Sequence, residues 1–187
     1  MRKLSGVFLF LIPVLLAVNS PAHAAGVLDV SQHLQLSALG GYESFKAYSS
    51  TDPAWQGGVL GGAATWAFNG PASLYALYTH GFPAKKVDGH VNEARVAANI
   101  CVYPPAAQFG TINERLFIGG GGLWLGSNSI HTHMATEGHV TLARALPEID
   151  KQKRLGAFVN YAHAFASKAD EKDFDLLRAG LEWRIHP

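Results

Sequence analysis

Eight ionisable side chains stand at positions where alternation would bring them together: Glu43, Glu93, Arg95, Glu137, His139, Arg178, Glu182 and Arg184. Glu93 and Arg95 are two residues apart, as are Glu137 and His139, and Glu182 and Arg184. On extended backbone that spacing puts both members of a pair on one face. If the face is an interior, opposite charges must pair, because a lone buried charge is costly. The expectation is an internal salt-bridge network; an ion path or gate is the sharper alternative.

Glycine forms a second group, at Gly57-Gly58, Gly61-Gly62 and Gly119 to Gly122. Neither Lys-Ser nor Lys-Thr follows these runs, so they are not phosphate-binding loops. Strand glycine marks a bend, a bulge or a close approach. Gly61, Gly119 and Gly121 are therefore candidates to line a pocket for a small apolar ligand, such as a lipid chain. A large side chain such as Phe158 would otherwise pack into the space. His131, His133 and His139 are close in sequence, and imidazole pairs bind transition metals. With only Glu137 near them and no cysteine at zinc spacing, a solvated loop is expected, with no metal and no cofactor.

The elements that must position these groups show a period of two. In the last segment Leu177, Ala179, Leu181, Trp183 and Ile185 share one face, while Arg178, Gly180, Glu182 and Arg184 share the other. Ala94, Val96, Ala98, Ile100 and Val102 oppose Glu93, Arg95, Ala97, Asn99 and Cys101 in the same way. Leu34, Leu36, Ala38, Gly40 and Tyr42 begin the series, and runs near 55–68, 72–80, 114–126, 134–146 and 154–166 complete eight strands. Asn69-Gly70-Pro71 is a strong turn signal, and Gly81–Gly89 reads as a loop. The runs are close to the roughly 9–11 residues that a tilted strand needs to cross a bilayer, and longer than the usual 5–6. An even strand number puts both chain ends on one side, so the outer loops would fall near residues 50, 85, 130 and 170.

Arg2 and Lys3, the apolar run Val7–Val18 and Ala22-His23-Ala24 form the three parts of a secretory signal peptide over residues 1–24. The remainder, 25–187, is then one β-barrel domain. Removing Arg2 and Lys3 from the 15 basic residues leaves 13 against 14 acidic ones, no electrostatic footprint for nucleic acid. Cys101 is the only cysteine, so no intrachain disulfide staples the fold.

With this export signal, eight amphipathic strands and Trp or Tyr near strand ends, the chain resembles the small eight-stranded outer-membrane barrels, of the OmpA transmembrane domain and OmpX kind. The resemblance is one of pattern over most of residues 32–186. It implies an all-β, closed, antiparallel up-and-down transmembrane barrel in the bacterial outer membrane. It also implies outer-membrane lipid and the barrel-insertion machinery as partners. Trp55, Trp66, Tyr75, Trp124, Tyr161 and Trp183 are candidates for its aromatic girdles. Such barrels usually finish on an aromatic residue; here Trp183 and Ile185 precede His186-Pro187.

Some barrels of this size remove acyl chains from lipid A, using a His-x-Ser pair on a late strand. Here that strand reads His163-Ala164-Phe165; Ser167 stands four residues from His163, and Ser129-Ile130-His131 has the reverse order. Without an activated nucleophile, the expected role is non-enzymatic: sealing the membrane, or meeting a ligand or partner. A lipid-modifying hydrolase and a soluble exported barrel that binds a small apolar ligand are the alternatives.

Overall fold

The computed structural model describes residues 34–47, 55–68, 70–84, 89–104, 113–127, 133–152, 154–166 and 173–185. The signal segment 1–24, Ser129, His131, Ser167 and the tips of the four expected outer loops lie outside the described residues.

Eight strands form one closed antiparallel barrel: β1 (Leu34–Ala47), β2 (Trp55–Ala67), β3 (Ala72–Pro83), β4 (Val91–Tyr103), β5 (Glu114–Ser127), β6 (His133–Ala145), β7 (Leu155–Ala166) and β8 (Phe174–Ile185). Each pairs with its neighbours in sequence, and β1 closes the ring against β8 with Leu36 opposite Ile185. The described ends of β1 and β8 therefore lie together at one end. We call that end the terminal end and the opposite one the loop end. Strands of 12–14 residues are about 40–46 Å long. Tilted by about 45°, they rise about 30 Å, the thickness of a bilayer's hydrocarbon core.

Alternation puts the two residue sets on opposite walls. Leu177, Leu181, Trp183 and Ile185 face out on β8, while Leu176 and Arg178 are buried within. Val96 faces out on β4 between buried Arg95 and Ala97. The β2–β3 turn is as tight as Asn69-Gly70-Pro71 predicts: Gly70 has a φ of 125°, and Phe68 N–H donates to Ala72 O at 3.0 Å. Positive φ is open to glycine because it lacks a Cβ.

Three expectations need correction. The strand β3 runs to Pro83, beyond Gly81, where the sequence predicts a loop. Gly81 is part of the wall, paired with Val59 and Val91, and the Cβ it lacks would lie 2.6 Å from the Trp55 ring. Trp55 and Tyr75 do not belong to the girdles. Their positions have inward parity, alongside Val59 on β2 and Leu77 on β3; Trp55 is buried, and Tyr75 packs against the interior cluster of Leu39, Ala63 and Leu77.

The loop end is plugged by apolar side chains. Phe45 stacks on Trp55 with ring centroids 5.6 Å apart and meets Phe174 edge-on at 6.3 Å. Leu123, Leu125, Leu176, Val59 and Val91 fill the rest. The indole N–H of Trp55 donates to Gly89 O at 3.0 Å, so its one polar atom is satisfied.

At the terminal end, Asp150 organises the β6–β7 turn. It accepts from the backbone N–H groups of Gln152 at 3.1 Å, Arg154 at 2.7 Å and Leu155 at 3.2 Å. Partial dehydration pushes its pKa up, but these three donors and the Arg154 charge together outweigh it and hold the carboxyl below the ordinary aspartate value. A depressed pKa means the ionised form favours the folded turn. Its contribution is present above the unfolded aspartate pKa and is lost as pH falls through the folded one. Protection of the Arg154 and Leu155 amides, the slowing of their exchange relative to the unstructured chain at the same pH, should therefore fall as the pH is lowered through that acidic range. Asp150→Asn should lower that protection at neutral pH and remove its acid dependence.

Candidate functional site

Six of the eight sequence-selected residues meet in one buried belt across the lumen, between the plug and the terminal end. Glu43 from β1, Glu93 and Arg95 from β4, Glu137 and His139 from β6 and Arg178 from β8 are each no more than 4 % exposed. Arg178 is the central tie. Its Nε donates to Glu43 at 2.7 Å, and its Nη2 contacts both Glu43 and Glu93, spanning from β8 to β4. Arg95 runs in another direction: Nε donates to Glu93 at 3.1 Å, Nη1 to Asn160 at 3.1 Å, and Glu137 lies 3.6 Å from Nη1. His139 is held between Glu137, 2.8 Å from Nδ1, and Asn99 Oδ1, 2.7 Å from Nε2. Each ring nitrogen thus has a polar partner inside the belt.

The other two, Glu182 and Arg184, are not in the belt. They stand nearer the terminal end of β8, about one-fifth exposed and 3.7 Å from each other. They line a cavity of about 390 Å³ whose floor is the terminal-end side of the belt. Arg95, Arg178, Asn99, His139 and Asn160 face it from below; Tyr75, Phe117, Phe158 and Leu39 form its walls; Arg115 joins Glu182 and Arg184.

Gly61, Gly119 and Gly121 have inward parity but do not line this cavity. A Cβ at Gly61 would strike Tyr78 O, and one at Gly121 would strike Val96 O, so these glycines bring neighbouring backbones together. Gly119 instead makes room for the belt, because its Cβ would collide with Asn99 Oδ1 and lie 2.8 Å from His139 Nε2. Phe158, expected to fill glycine space, packs beside Leu39, Ala63 and Leu77.

Charge-led reading of the sequence misses Thr79, Thr141 and Arg115. Thr79 donates to Glu93 at 3.4 Å, and Asn160 donates to Thr141 at 2.7 Å. Their signal is parity: on β3, β5 and β6 the odd-numbered positions face inward, as do Glu137 and His139 on β6. His163, considered above as a catalytic base, sits on the outer wall near the loop end. It is 2.8 Å from Asp175 and edge-on to Phe165 at 4.6 Å.

No family profile and no curated protein matches the chain. Among solved structures, it is similar to the N-terminal β-barrel domain of Pseudomonas aeruginosa OprF, with a TM-score of 0.53 and 10% identity, over 80% of this chain and 97% of that one. It is also similar to Neisserial surface protein A, with a TM-score of 0.52 and 11% identity, over 81% and 97% of the two chains. The chain has the fold of the small eight-stranded outer-membrane barrels. At such identities the likeness is one of fold alone.

Arg178→Met removes the cation shared by Glu43 and Glu93 and should cost about 3–5 kcal/mol, as for breaking other buried ion pairs. Urea unfolding in detergent would show this as a lowered midpoint, with a smaller shift for the outward Leu177→Ala. Gly119→Ala should destabilise clearly more than Gly122→Ala, since a Cβ at Gly122 meets nothing within 4 Å.

Proposed function

We propose that the chain is exported by its first 24 residues and spans a bacterial outer membrane as a sealed, non-enzymatic barrel that binds or presents rather than conducts. The observation that carries this reading is the composition of the outer wall. Leu36, Leu60, Leu74, Val96, Ile118, Val140, Leu142, Val159, Leu177 and Leu181 all face out and are at least 40 % exposed. Among the described residues the outward charged side chains, Lys46, Glu114, Arg144 and Asp175, stand at or next to strand ends. A soluble barrel shows the reverse, with charge outside and apolar residues within. Hydrocarbon demands that every backbone group be paired internally, and the closed ring does this without an edge.

Both margins of the band carry amphipathic rings. At the terminal end Trp66 and Trp183 face out. At the loop end three tyrosines repeat one device, each donating to a polar residue one pleat nearer the loops. Tyr42 bonds Gln56 at 2.9 Å, Tyr78 bonds Asn92 at 3.2 Å, and Tyr161 bonds Asp175 at 2.7 Å. Such rings suit the boundary, with the body in hydrocarbon and the hydroxyl among head groups.

The interior supports sealing. Eight-stranded barrels have lumens that side chains can fill, whereas water-filled channels come with about 16–18 strands. Here the plug and the belt both cross the lumen. Among the described residues no activated nucleophile accompanies His163, and Phe165 stands at the expected serine position.

Single-tryptophan variants test the placement in vesicles containing brominated acyl chains. Trp66 and Trp183 should be strongly quenched and Trp55 hardly at all; the opposite order would overturn the reading, as would recovery of the native protein in the soluble periplasm. Val96→Arg, in the middle of the outer band, should destabilise the inserted barrel by about 2–4 kcal/mol.

A further inference from the structure

We propose that the cavity at the terminal end is a binding site for a small organic anion: a carboxylate or phosphate on a flat apolar body. This goes beyond the membrane assignment and rests only on the cavity's own geometry. Its volume of about 390 Å³ lies within the roughly 300–1,000 Å³ typical of small-molecule sites. Like those sites, it combines apolar walls with a few convergent polar groups.

The charge of the lining selects the ligand's sign. Four arginines border the cavity, Arg95, Arg115, Arg178 and Arg184, against the single carboxylate of Glu182. The belt carboxylates Glu43, Glu93 and Glu137 are not among the lining residues, so the floor turns its cationic side to the cavity. Near the terminal end, Arg115 and Arg184 both border the cavity. Arg184 is loosely held: its Nε stands 3.7 Å from Glu182 and is buried with no hydrogen-bond partner. A buried guanidinium donor left unpaired is costly. An anion held by Arg184 at this side of the cavity would satisfy it. Arginine's planar fork suits the two oxygens of a carboxylate or phosphate.

The walls select the body. Phe158 from β7 and Phe117 from β5 line the cavity with Tyr75 from β3. Aromatic rings prefer to meet other rings edge-on or offset, so a fused-ring or short-chain acid fits here better than a sugar. The acid group would lie towards Arg115 and Arg184, with the body reaching the belt.

The test uses the full chain folded in nanodiscs, with nitrogen-15-labelled backbone and arginine side chains. 2-Naphthoate is titrated in, with 2-naphthylmethyl-trimethylammonium as a cation of similar body. The expected result is saturable shifts at Arg115 and Arg184 Nε–H and at the amides of Phe117 and Phe158 with naphthoate alone. Arg115→Gln combined with Arg184→Gln should weaken binding at least tenfold. Ala143→Trp, which fills the cavity from β6, should abolish it. Equal shifts with the cation, or shifts confined to outward positions such as Val96 and Leu181, would overturn the proposal. An affinity within twofold in the double variant would also overturn it. The two probes are compared on the unaltered protein, so their contrast does not depend on a variant folding. A chain that fails to insert into nanodiscs would instead count against the membrane reading.

Discussion

A ring of strands with no free edge imposes the order seen throughout this molecule. Once β1 hydrogen-bonds to β8, every strand has two partners and each side chain has only two directions, into the lumen or out of it. The sequence alternates to suit. Because a slip of one residue would exchange the two walls of a strand, the apolar outer band and the charged belt hold each other in register. Arg178 on the lipid side would be as damaging as Leu177 in the belt.

The belt then has to satisfy its own charges. Ions taken out of water lose several kcal/mol each, and geometry must recover that loss. Here it does so by crossing strands: Arg178 reaches β1 and β4, Arg95 reaches β7 and β6, and His139 is bonded within β6 and to β4. The ties from β8 to β4 and from β4 to β6 and β7 join non-adjacent strands and brace the ring across its width. Gly119 shows how closely the wall is fitted to them, since even a methyl group there would displace Asn99 and His139.

The wall is legible in the chain because alternation is local: Val96 against Arg95, or Leu181 against Glu182, needs no knowledge of the rest. Parity outranks residue type where the two disagree. Aromatic character alone suggests girdle places for Trp55 and Tyr75, yet their odd positions put them inside with Val59 and Leu77. The partners in the belt are not legible. That Arg95 meets Asn160 and Glu137 depends on the register of four strands and the curvature of the ring. The terminal cavity is less legible still, because it is bounded by residues from all eight strands and no segment carries its signature. The pocket expected at Gly61, Gly119 and Gly121 shows the same limit, since a run of glycine does not reveal whether the room it leaves stays empty or admits a neighbouring backbone.

One feature of the outer wall bears on how the cylinder stands. The run Tyr78-Thr79-His80-Gly81-Phe82 on β3 returns as Tyr161-Ala162-His163-Ala164-Phe165 on β7. Each histidine bonds the residue opposite it on the next strand, Asn92 or Asp175, and lies edge-on to its phenylalanine. The two strands are four apart in a ring of eight, so the clusters occupy opposite flanks at the same rim. Leaning towards either flank would drag one set of imidazoles into oil and lift the other clear of it. In a bilayer the two clusters would thus resist rocking along the line joining β3 and β7, like a pair of opposed stays.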